Sequence, residues 1–319
     1  MNRLCFRGRP IASIEALAST LHVSPRYLWW VIERTDRLYR PMKPIIKPDG
    51  SVRQTYNPAA PLKDVQRRIN RNIFSRVEFP IYLQGGIRDR KTPRHCVANA
   101  QLHTNAAIVI NEDIAGFFPS ISRQQVQDVW QHFFRFPLAI AETLTALTTY
   151  NGALPQGAPT SSYLANLVLW RQEPELVTNL AARGIRYSRY VDDITLSSKR
   201  FLNNHLKADA VRQVRRLCNG NGFRMKGRKE RIETSGKPMR VNNLQINHGV
   251  TLPKKERARI RAAVRVCEVY PAESRDSSEY QKLLNSTLGR VSRLRQLHPK
   301  EGADLMRRLT IMRGASRSK

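Results

Sequence analysis

The segment Tyr190-Val191-Asp192-Asp193 places two adjacent carboxylates between two short runs in which apolar and polar residues alternate. These runs are 185–190 and 194–197, and alternation with a period of two predicts β-strands. The aspartates would then lie at the tip of a hairpin, where like charges repel unless a cation binds between them. Because an Asp-Asp pair also arises by chance in a chain of this size, a further carboxylate is needed to predict a metal site.

Asp113 supplies that carboxylate, about eighty residues earlier in the chain. The apolar run at 106–110 predicts a buried strand, and Asp113 lies at its carboxyl end. Beside the Asp192-Asp193 hairpin it would provide hard oxygen ligands for two Mg²⁺ ions about 4 Å apart, the arrangement used for in-line phosphoryl transfer. The alternative is a capping aspartate next to a solvated turn.

The charge of the chain favours a polynucleotide substrate. It has 55 Lys and Arg against 25 Asp and Glu, a formal net charge of +30, and residues 199–319 hold 30 of the basic and 10 of the acidic residues. Because these cations are interleaved with apolar helix positions, we expect a folded surface that follows a phosphate backbone. The alternatives are a generally basic surface or an anionic membrane partner.

The sequence predicts no membrane partner. It contains no run of about eighteen apolar residues and no apolar signal segment after Met1, so we expect a soluble, cytoplasmic protein. The four cysteines are far apart and lack metal-ligand spacing, which indicates reduced structural thiols and no zinc site.

The first part of the chain predicts short helices and one hairpin. Ser13 and Ser24-Pro25 are start signals for two helices, which resemble a helix-turn-helix but which we expect to pack on a larger domain. The segment 45–53 predicts a hairpin with a Pro-Asp-Gly turn that carries Lys47 and Arg53 on its two strands. A helix from about Pro61 to Phe74 is expected to follow.

Two later segments have functional patterns. The loop at 154–162 is rich in small residues and proline, so a base pair or backbone can approach it closely, although an ordinary strand-to-helix loop looks similar. From Leu252 to Arg313 the sequence predicts amphipathic basic helices that suit a clamp over a duplex, with a solvated charged face as the alternative. Their apolar stripe is Ile260, Val264 and Cys267, and the basic residues near it include Arg257, Arg261 and Arg265.

Four segments, in chain order, resemble the palm of reverse transcriptases. They are Asp113 with Phe117-Phe118-Pro119-Ser120, Leu154-Pro155-Gln156-Gly157, Tyr190-Val191-Asp192-Asp193, and Gly222 with Lys229. Within that family the chain is most similar to the bacterial retron enzymes in length and in the segment Asn99 to His103, which matches their Asn-Ala-x-x-His motif. The resemblance implies an α+β right-hand polymerase fold, with fingers and palm made of an antiparallel sheet plus helices and a small, basic, helical thumb. It implies an N-terminal helical extension at 1–40, fingers and palm at 41–240, and an RNA-binding thumb at 241–319.

The same resemblance implies roles for individual residues. Asp113, Asp192 and Asp193 would be catalytic and would hold Mg²⁺ together with the Ile114 carbonyl. Phe118 would exclude a ribose 2′-hydroxyl, and the other nucleotide-binding residues would be Lys47, Arg53, Gln156 and Lys229. The RNA-binding residues would be Asn99, His103, Val241, Asn242, Asn243, Arg257, Arg261 and Arg265.

The chain departs from the retron pattern at three places. Val191 stands where these enzymes usually have Ala, a change that other reverse transcriptases tolerate. Val241-Asn242-Asn243 stands where they usually have Val-Thr-Gly, in the region credited with recognising the cognate RNA, so RNA specificity is expected to differ. Ala115-Gly116 replaces residues that are often acidic, which the metal site does not need.

Retron kinship implies an RNA-directed DNA polymerase that uses dNTPs to copy a structured noncoding RNA. DNA would start from a guanosine 2′-hydroxyl, and the branched RNA-DNA product would stay bound. The kinship also implies antiphage defence with a separate effector protein. The alternatives are a diversity-generating or abortive-infection reverse transcriptase, a noncatalytic helix-turn-helix nucleic-acid binder, and an RNA-dependent RNA polymerase, against which Phe118 argues.

Overall fold

The computed structural model describes residues 3–47, 50–89, 91–227 and 231–315. The helices in these ranges are α1 (Ile14–Leu21), α2 (Pro25–Glu33), α3 (Thr35–Leu38), α4 (Ala60–Asn72), α5 (Cys96–Gln101), α6 (Phe117–Ser120), α7 (Arg123–Asp128), α8 (Leu138–Thr148), α9 (Ser161–Leu167), α10 (Glu173–Ala182), α11 (Asn204–Gly220), α12 (Lys254–Val269), α13 (Ser278–Leu297) and α14 (Pro299–Ala315). The strands are β1 (Cys5–Phe6), β2 (Tyr39–Pro41), β3 (Ile45–Ile46), β4 (Val52–Arg53), β5 (Tyr56–Pro58), β6 (Val77–Glu78), β7 (Leu83–Gln84), β8 (Ile108–Asp113), β9 (Ile185–Tyr190), β10 (Asp193–Ser198), β11 (Arg231–Thr234), β12 (Arg240–Val241) and β13 (Leu244–Gln245).

A five-stranded sheet, in the order β11-β8-β10-β9-β7, lies at the centre of the fold. Its neighbouring strands are antiparallel, except that β7 and β9 are parallel. Its strands share one hydrophobic core with helices from the middle of the chain and another with the C-terminal helices. A largely antiparallel sheet with helices confirms the predicted α+β class.

The sheet has two unlike faces because successive side chains of a strand point in opposite directions. On one face Ile110, Ile194 and Leu196 are fully buried in the larger of two hydrophobic cores. The opposite face, which we call the polar face, carries Asp113 and Asp193 at one end. The catalytic candidates therefore lie on the side of the sheet away from the larger core.

The two N-terminal helices begin at the predicted caps. The Ser13 hydroxyl accepts a hydrogen bond from Ala16 N, and the Ser24 hydroxyl accepts one from Tyr27 N. The apolar residues of the pair that enter the larger core are Leu17, Leu21, Leu28 and Val31. The helices thus pack on the larger domain, as predicted for them.

Two small two-stranded sheets precede the central sheet in the chain. β2 pairs with β5, and β3 pairs with β4 in the register Ile45 to Arg53, so the predicted hairpin is present. Pro48 and Asp49 of its predicted turn lie outside the described residues. The helix expected to end at Phe74 ends at Asn72, because a 3₁₀ turn at Phe74–Arg76 follows it.

The C-terminal helices α12, α13 and α14 form a second core, which we call the thumb core. Ile260, Val264 and Cys267 are fully buried in it, so the predicted apolar stripe is confirmed. Val109 of β8 and Val241 of β12 belong to the same core, which links it to the polar face of the sheet. Within the described ranges, no helix combines the length and the apolar character needed to cross a membrane.

Candidate active site

Asp113 and Asp193 are direct partners on the adjacent antiparallel strands β8 and β10. One position further on, Ile114 N donates a 3.0 Å hydrogen bond to Asp192 O. Hydrogen-bonded and non-bonded pairs alternate in an antiparallel ladder, so the Asp113–Asp193 pair is of the non-bonded kind, whose side chains lie closest. Like charges in such a pair destabilise the sheet. The structure therefore brings the three predicted catalytic aspartates together at one end of the polar face.

Val191 and Asp192 form the two-residue turn between Tyr190 and Asp193. Val191 has a φ of 60°, in the left-handed region that β-branched residues rarely adopt. Asp192 is not among the residues with positive φ, so the pattern is that of a type II′ turn, which prefers glycine at its first central position. The turn that carries the aspartate pair is thus strained at Val191 and needs support from its surroundings.

Arg189 provides much of that support from inside the protein. It is fully buried, and its Nη1 donates a 3.0 Å hydrogen bond to Val191 O. Its Nε and Nη2 bind the two carboxylate oxygens of Glu173 at 2.6 and 2.8 Å. Further bonds to Ala165 O and Asn166 O, at 3.2 and 3.1 Å, occupy the remaining guanidinium donors. The turn is therefore tied to α9 and α10 by one side chain.

The electrostatics of this clamp favour a permanent charge on Arg189. Burial alone would lower the pKa of Arg189, but the adjacent Glu173 carboxylate raises it above its usual value. Burial also raises the pKa of Tyr187, whose hydroxyl donates a 2.7 Å bond to the same carboxylate. Sequence analysis missed Arg189 and Glu173. The sequence did contain a signal for Arg189. In the alternating pattern of β9, Arg189 falls on the same inward-facing side as Ile185 and Tyr187.

The segment after Gly222 adds a further strand-like connection to Asp113. Lys226 N donates a 2.7 Å bond to Asp113 O, and Ala115 N donates a 2.8 Å bond to Arg224 O. The main chain of this segment therefore fixes the end of β8 on the side opposite β10. Lys229, the predicted nucleotide contact of the same segment, lies outside the described residues.

The carboxylates offer a partial metal site. The described part of the chain contains no group of three or more His, Cys, Asp or Glu side chains arranged to hold a metal ion. However, Mg²⁺ in polymerase-type sites takes only one or two carboxylates, and water and substrate phosphates complete its ligands. The carboxylates of the paired residues Asp113 and Asp193 suit that role in chemistry, and Asp192 adjoins them on the strained turn.

The predicted nucleotide-binding residues lie on three different elements. Phe118 is half-buried on α6. This helix begins directly after Gly116, whose φ of 54° turns the chain away from β8. Gln156 O accepts a 2.8 Å bond from Tyr56 N, which joins its loop to β5. Arg53 lies on β4 of the separate β3–β4 sheet and Lys47 directly follows β3, so neither is part of the sheet that holds the aspartates.

Gly157 makes the close approach of that loop to β5 possible. Its φ is 108°, and a Cβ added there would lie 2.7 Å from Tyr56 O. Any other residue at this position would push the loop away from β5. Gly157 therefore allows a close backbone approach, as predicted for this loop, and the backbone that approaches is that of β5.

Asn242 and Asn243 form the two-residue turn of the β12–β13 hairpin. Their φ angles are 49° and 63°, the pattern of a type I′ turn, which asparagine tolerates better than most residues. Asn99 Nδ2 donates a 2.6 Å bond to Asn242 Oδ1 across 143 residues. The departure from Val-Thr-Gly therefore has a structural reason, since Asn243 takes the left-handed conformation for which glycine is usual. Val241 is buried in the thumb core.

His103 has a position that changes its predicted role. It is fully buried, and its two ring nitrogens lie 2.7 Å from the hydroxyls of Ser197 and Ser188. Burial, with a smaller effect from Arg186, lowers its pKa to about 3. In this position His103 joins the segment after α5 to the sheet and has no surface for a direct RNA contact, so any effect on RNA binding is indirect.

The three predicted RNA-binding arginines of the thumb make ion pairs within it. Arg257 and Arg261 bind the two carboxylate oxygens of Glu301 at 2.6 Å each, and Arg265 lies 3.5 Å from Glu268. Burial would raise the pKa of Glu301, but hydrogen bonds from Arg261 and Arg257 lower it below the usual value. Two arginines share one carboxylate, so the α12–α14 contact keeps a net positive charge.

The chain matches known proteins over most of its length. Residues 45–258 match the sequence profile of the family described as reverse transcriptase (RNA-dependent DNA polymerase). The Retron Se72 reverse transcriptase of Salmonella heidelberg (strain 579083-10) is 33% identical over 309 residues, which cover 96% of this chain and 80% of that protein. The Retron Ec48 reverse transcriptase of Escherichia coli is 32% identical over 297 residues, covering 89% of this chain and 72% of that protein.

A third relative and one solved structure show weaker similarity. The Retron Ec86 reverse transcriptase of Escherichia coli is 30% identical over 199 residues, covering 62% of this chain and 61% of that protein. A telomerase structure from Candida albicans, in complex with a fragment of telomeric RNA, covers 63% of this chain and 40% of that chain at 8% identity and a TM-score of 0.39. The family assignment therefore depends on the sequence matches. The chain belongs to the reverse transcriptase family, among the retron reverse transcriptases, and is an RNA-directed DNA polymerase.

Proposed function

We propose that this polymerase acts at the end of the polar face, with Mg²⁺ held by Asp113, Asp192 and Asp193 and by the Ile114 carbonyl. The observation that carries the proposal is the direct pairing of Asp113 with Asp193, because it sets side by side two carboxylates, the hard oxygen ligands that Mg²⁺ prefers. When bound, Mg²⁺ would activate the primer hydroxyl and neutralise the charge that develops on the leaving pyrophosphate.

The residues of the chain then have separate tasks in DNA synthesis. The clamped turn holds Asp192 in place before substrate arrives, which avoids the cost of ordering it during the reaction. The ring of Phe118 occupies the space that a ribose 2′-hydroxyl would need. Lys47 and Arg53 supply positive charge for the triphosphate, Gln156 contacts the nucleotide, and Lys229 is a further nucleotide contact.

We also propose that the template and primer belong to one structured noncoding RNA. The kinship with retron enzymes supports this, and the formal charge of +30 gives the protein a strong attraction for a bound nucleic acid. DNA would start from an RNA 2′-hydroxyl, and the branched product would remain bound. The biological role would be antiphage defence in the cytoplasm, with a separate effector protein.

Recognition of that RNA is proposed for the thumb, residues 241–319, and for the segment that contacts it. Asn99 and Asn242 are joined side chain to side chain, and Asn243 is exposed at the tip of the same hairpin. The residues before 41 would form the N-terminal extension, and residues 41–240 the fingers and palm.

The experiment is to purify the protein from its native locus and extract the nucleic acid bound to it. We expect one molecule that is partly sensitive to DNase and partly to RNase, and that changes mobility after treatment with a 2′-5′ debranching enzyme. Unbranched RNA alone, from a protein that extends any annealed primer, would contradict the retron mechanism and leave the polymerase assignment intact.

A pair of turn variants tests the recognition step. Asn242→Gly keeps the left-handed conformation but removes the contact to Asn99, whereas Asn243→Gly keeps both the turn and the contact. We expect Asn242→Gly to reduce initiation on the cognate RNA more than extension of a generic primer-template, and Asn243→Gly, which removes only the exposed amide at the tip, to cause a smaller loss of the same kind. Equal losses in the two assays would remove this hairpin from RNA recognition.

A further inference from the structure

A cavity of about 860 Å³ lies at the end of the central sheet that is remote from the aspartates. It is formed where β9 begins and β10 ends, together with the end of α10 and the start of α11. Each of these strands is six residues long, so the cavity is about 20 Å from the catalytic turn. It is separate from the site described above.

The cavity is lined by cations. Its basic side chains are Arg183, Arg186, Lys199 and Arg200, and none of the described residues that line it is acidic. A carboxylate on α11, Asp209, is bonded to Arg183 and also to Arg212. A second cavity on the other side of α11, of about 480 Å³, is lined by Lys207 and Arg212, again with no acidic residue among the described ones. The field of this whole region therefore favours an anion.

An exposed aromatic ring lines the first of these cavities. Phe201 is 72% exposed, and Lys207 Nζ lies 5.5 Å from the centre of its ring. An exposed phenylalanine alone needs no explanation. A ring in one basic cavity, flanked by a lysine that lines the other, has the combination that binds unpaired bases by stacking and their phosphates by charge.

We propose that this rear basic surface, defined as Arg183, Arg186, Lys199, Arg200, Phe201 and Lys207, binds a segment of single-stranded nucleic acid outside the active site. Phe201 stacks on an unpaired base, and the cations contact the phosphates beside it. The nucleic acid reaches this surface directly from solvent, because the surface lies at the end of β9 and β10 that is remote from the aspartates. The ligand is RNA or single-stranded DNA, which share this chemistry.

The test uses the full-length protein with its active site already filled by a chain-terminated primer-template duplex. The probe is a labelled single strand of about 12 nucleotides, made once as RNA and once as DNA, within the site size of one binding fold. The variant is Lys199→Gln, Arg200→Gln, Phe201→Ala. The control is Arg67→Gln, Arg71→Gln, which removes the same charge from exposed positions of α4. Circular dichroism verifies that both variants are folded.

We expect wild type and the α4 control to bind the probe, and the rear-surface variant to bind about tenfold more weakly. Its logarithmic salt dependence should fall by about 1.4 units, since each lost phosphate contact on a single strand removes about 0.7. The tighter of the two probes identifies the natural ligand as RNA or DNA. Equal losses in the two variants, or no binding of the probe to the wild-type protein once its active site is filled, would overturn the proposal without bearing on DNA synthesis.

Discussion

Arg189 donates a 3.0 Å hydrogen bond to the carbonyl of Val191, two residues further along the chain, so the strand that leads into the catalytic turn also clamps it. The same guanidinium is anchored to Glu173, which is itself fully buried. Val191 N completes the clamp by donating a 3.1 Å bond to Gln84 O. Together these contacts hold a β-branched residue at positive φ, next to the aspartates proposed to be catalytic.

The first prediction concerns this clamp. Arg189→Lys keeps the charge beside Glu173 but cannot reach all the same acceptors, so the turn should relax and the single-turnover rate of DNA synthesis should fall by about tenfold or more. Adding Val191→Gly removes the strain at positive φ and should recover part of that rate. Arg171→Lys, at an exposed ion pair with Asp128, serves as the control and should have the wild-type rate. If the variant that combines Arg189→Lys with Val191→Gly has the same rate as Arg189→Lys, then Arg189 stabilises the fold and does not position the turn.

The second prediction concerns the choice of sugar. Phe118→Ala should open space beside the nucleotide and raise kcat/KM for ribonucleotides relative to deoxynucleotides by about tenfold or more. Phe79→Ala, which truncates another half-buried ring on the larger core, should leave that ratio unchanged. If both variants have the same ratio as wild type, Phe118 is a packing residue.

The third prediction is a pH dependence of stability. His103 is neutral when folded, with a pKa of about 3, but it takes up a proton below about pH 6.5 when unfolded. Protons therefore favour the unfolded state between these values, and stability should fall as the pH drops from 6.5 towards 3. Between pH 7 and pH 5 the loss from this residue should be about 2 kcal/mol.

Urea unfolding at the two pH values measures that loss. His103→Gln should be less stable than wild type at pH 7 but should show a smaller further decrease at pH 5. His132→Gln changes an exposed histidine and should keep the wild-type pH dependence. An unchanged pH dependence in His103→Gln would mean that the buried imidazole is not the group responsible.

Local patterns in the sequence were sufficient for the elements that carry the aspartates. The alternation on both sides of Asp192 and the apolar run before Asp113 predict the strands, and the structure pairs them as neighbours. The register, with Asp113 opposite Asp193, could not be predicted because it depends on pairing between strands that are far apart in the chain.

The supporting contacts were beyond sequence analysis for a similar reason. Arg189 and Glu173 satisfy each other only after α10 packs on β9, so each in isolation looks like a solvent-exposed charge. His103 was expected to bind RNA because of a motif resemblance, which carries no information about burial, whereas two serine hydroxyls satisfy both its nitrogens in the interior. The ion pairs of Glu301 with Arg257 and Arg261 likewise need the fold of the thumb.

The fourth prediction concerns the thumb. If Arg257, Arg261 and Arg265 contact an RNA backbone, replacing all three by Gln should weaken RNA binding and reduce the logarithmic salt dependence by about one unit for each lost contact. Glu301→Gln should have the opposite effect, because it frees Arg257 and Arg261 from their shared carboxylate. A salt dependence that neither change alters would mean that these arginines only stabilise the thumb.

The most direct measurement for the central claim is the rate at which Asp192→Asn extends a primer annealed to an RNA template in Mg²⁺. Removing one carboxylate of the pair should lower the single-turnover rate by about a thousandfold, while the affinity for the primer-template stays near that of wild type. Asp64→Asn, at a half-exposed ion pair on α4, is the matched control and should extend the primer normally. Extension by Asp192→Asn at the rate of the control would contradict the assignment of this site as the catalytic centre.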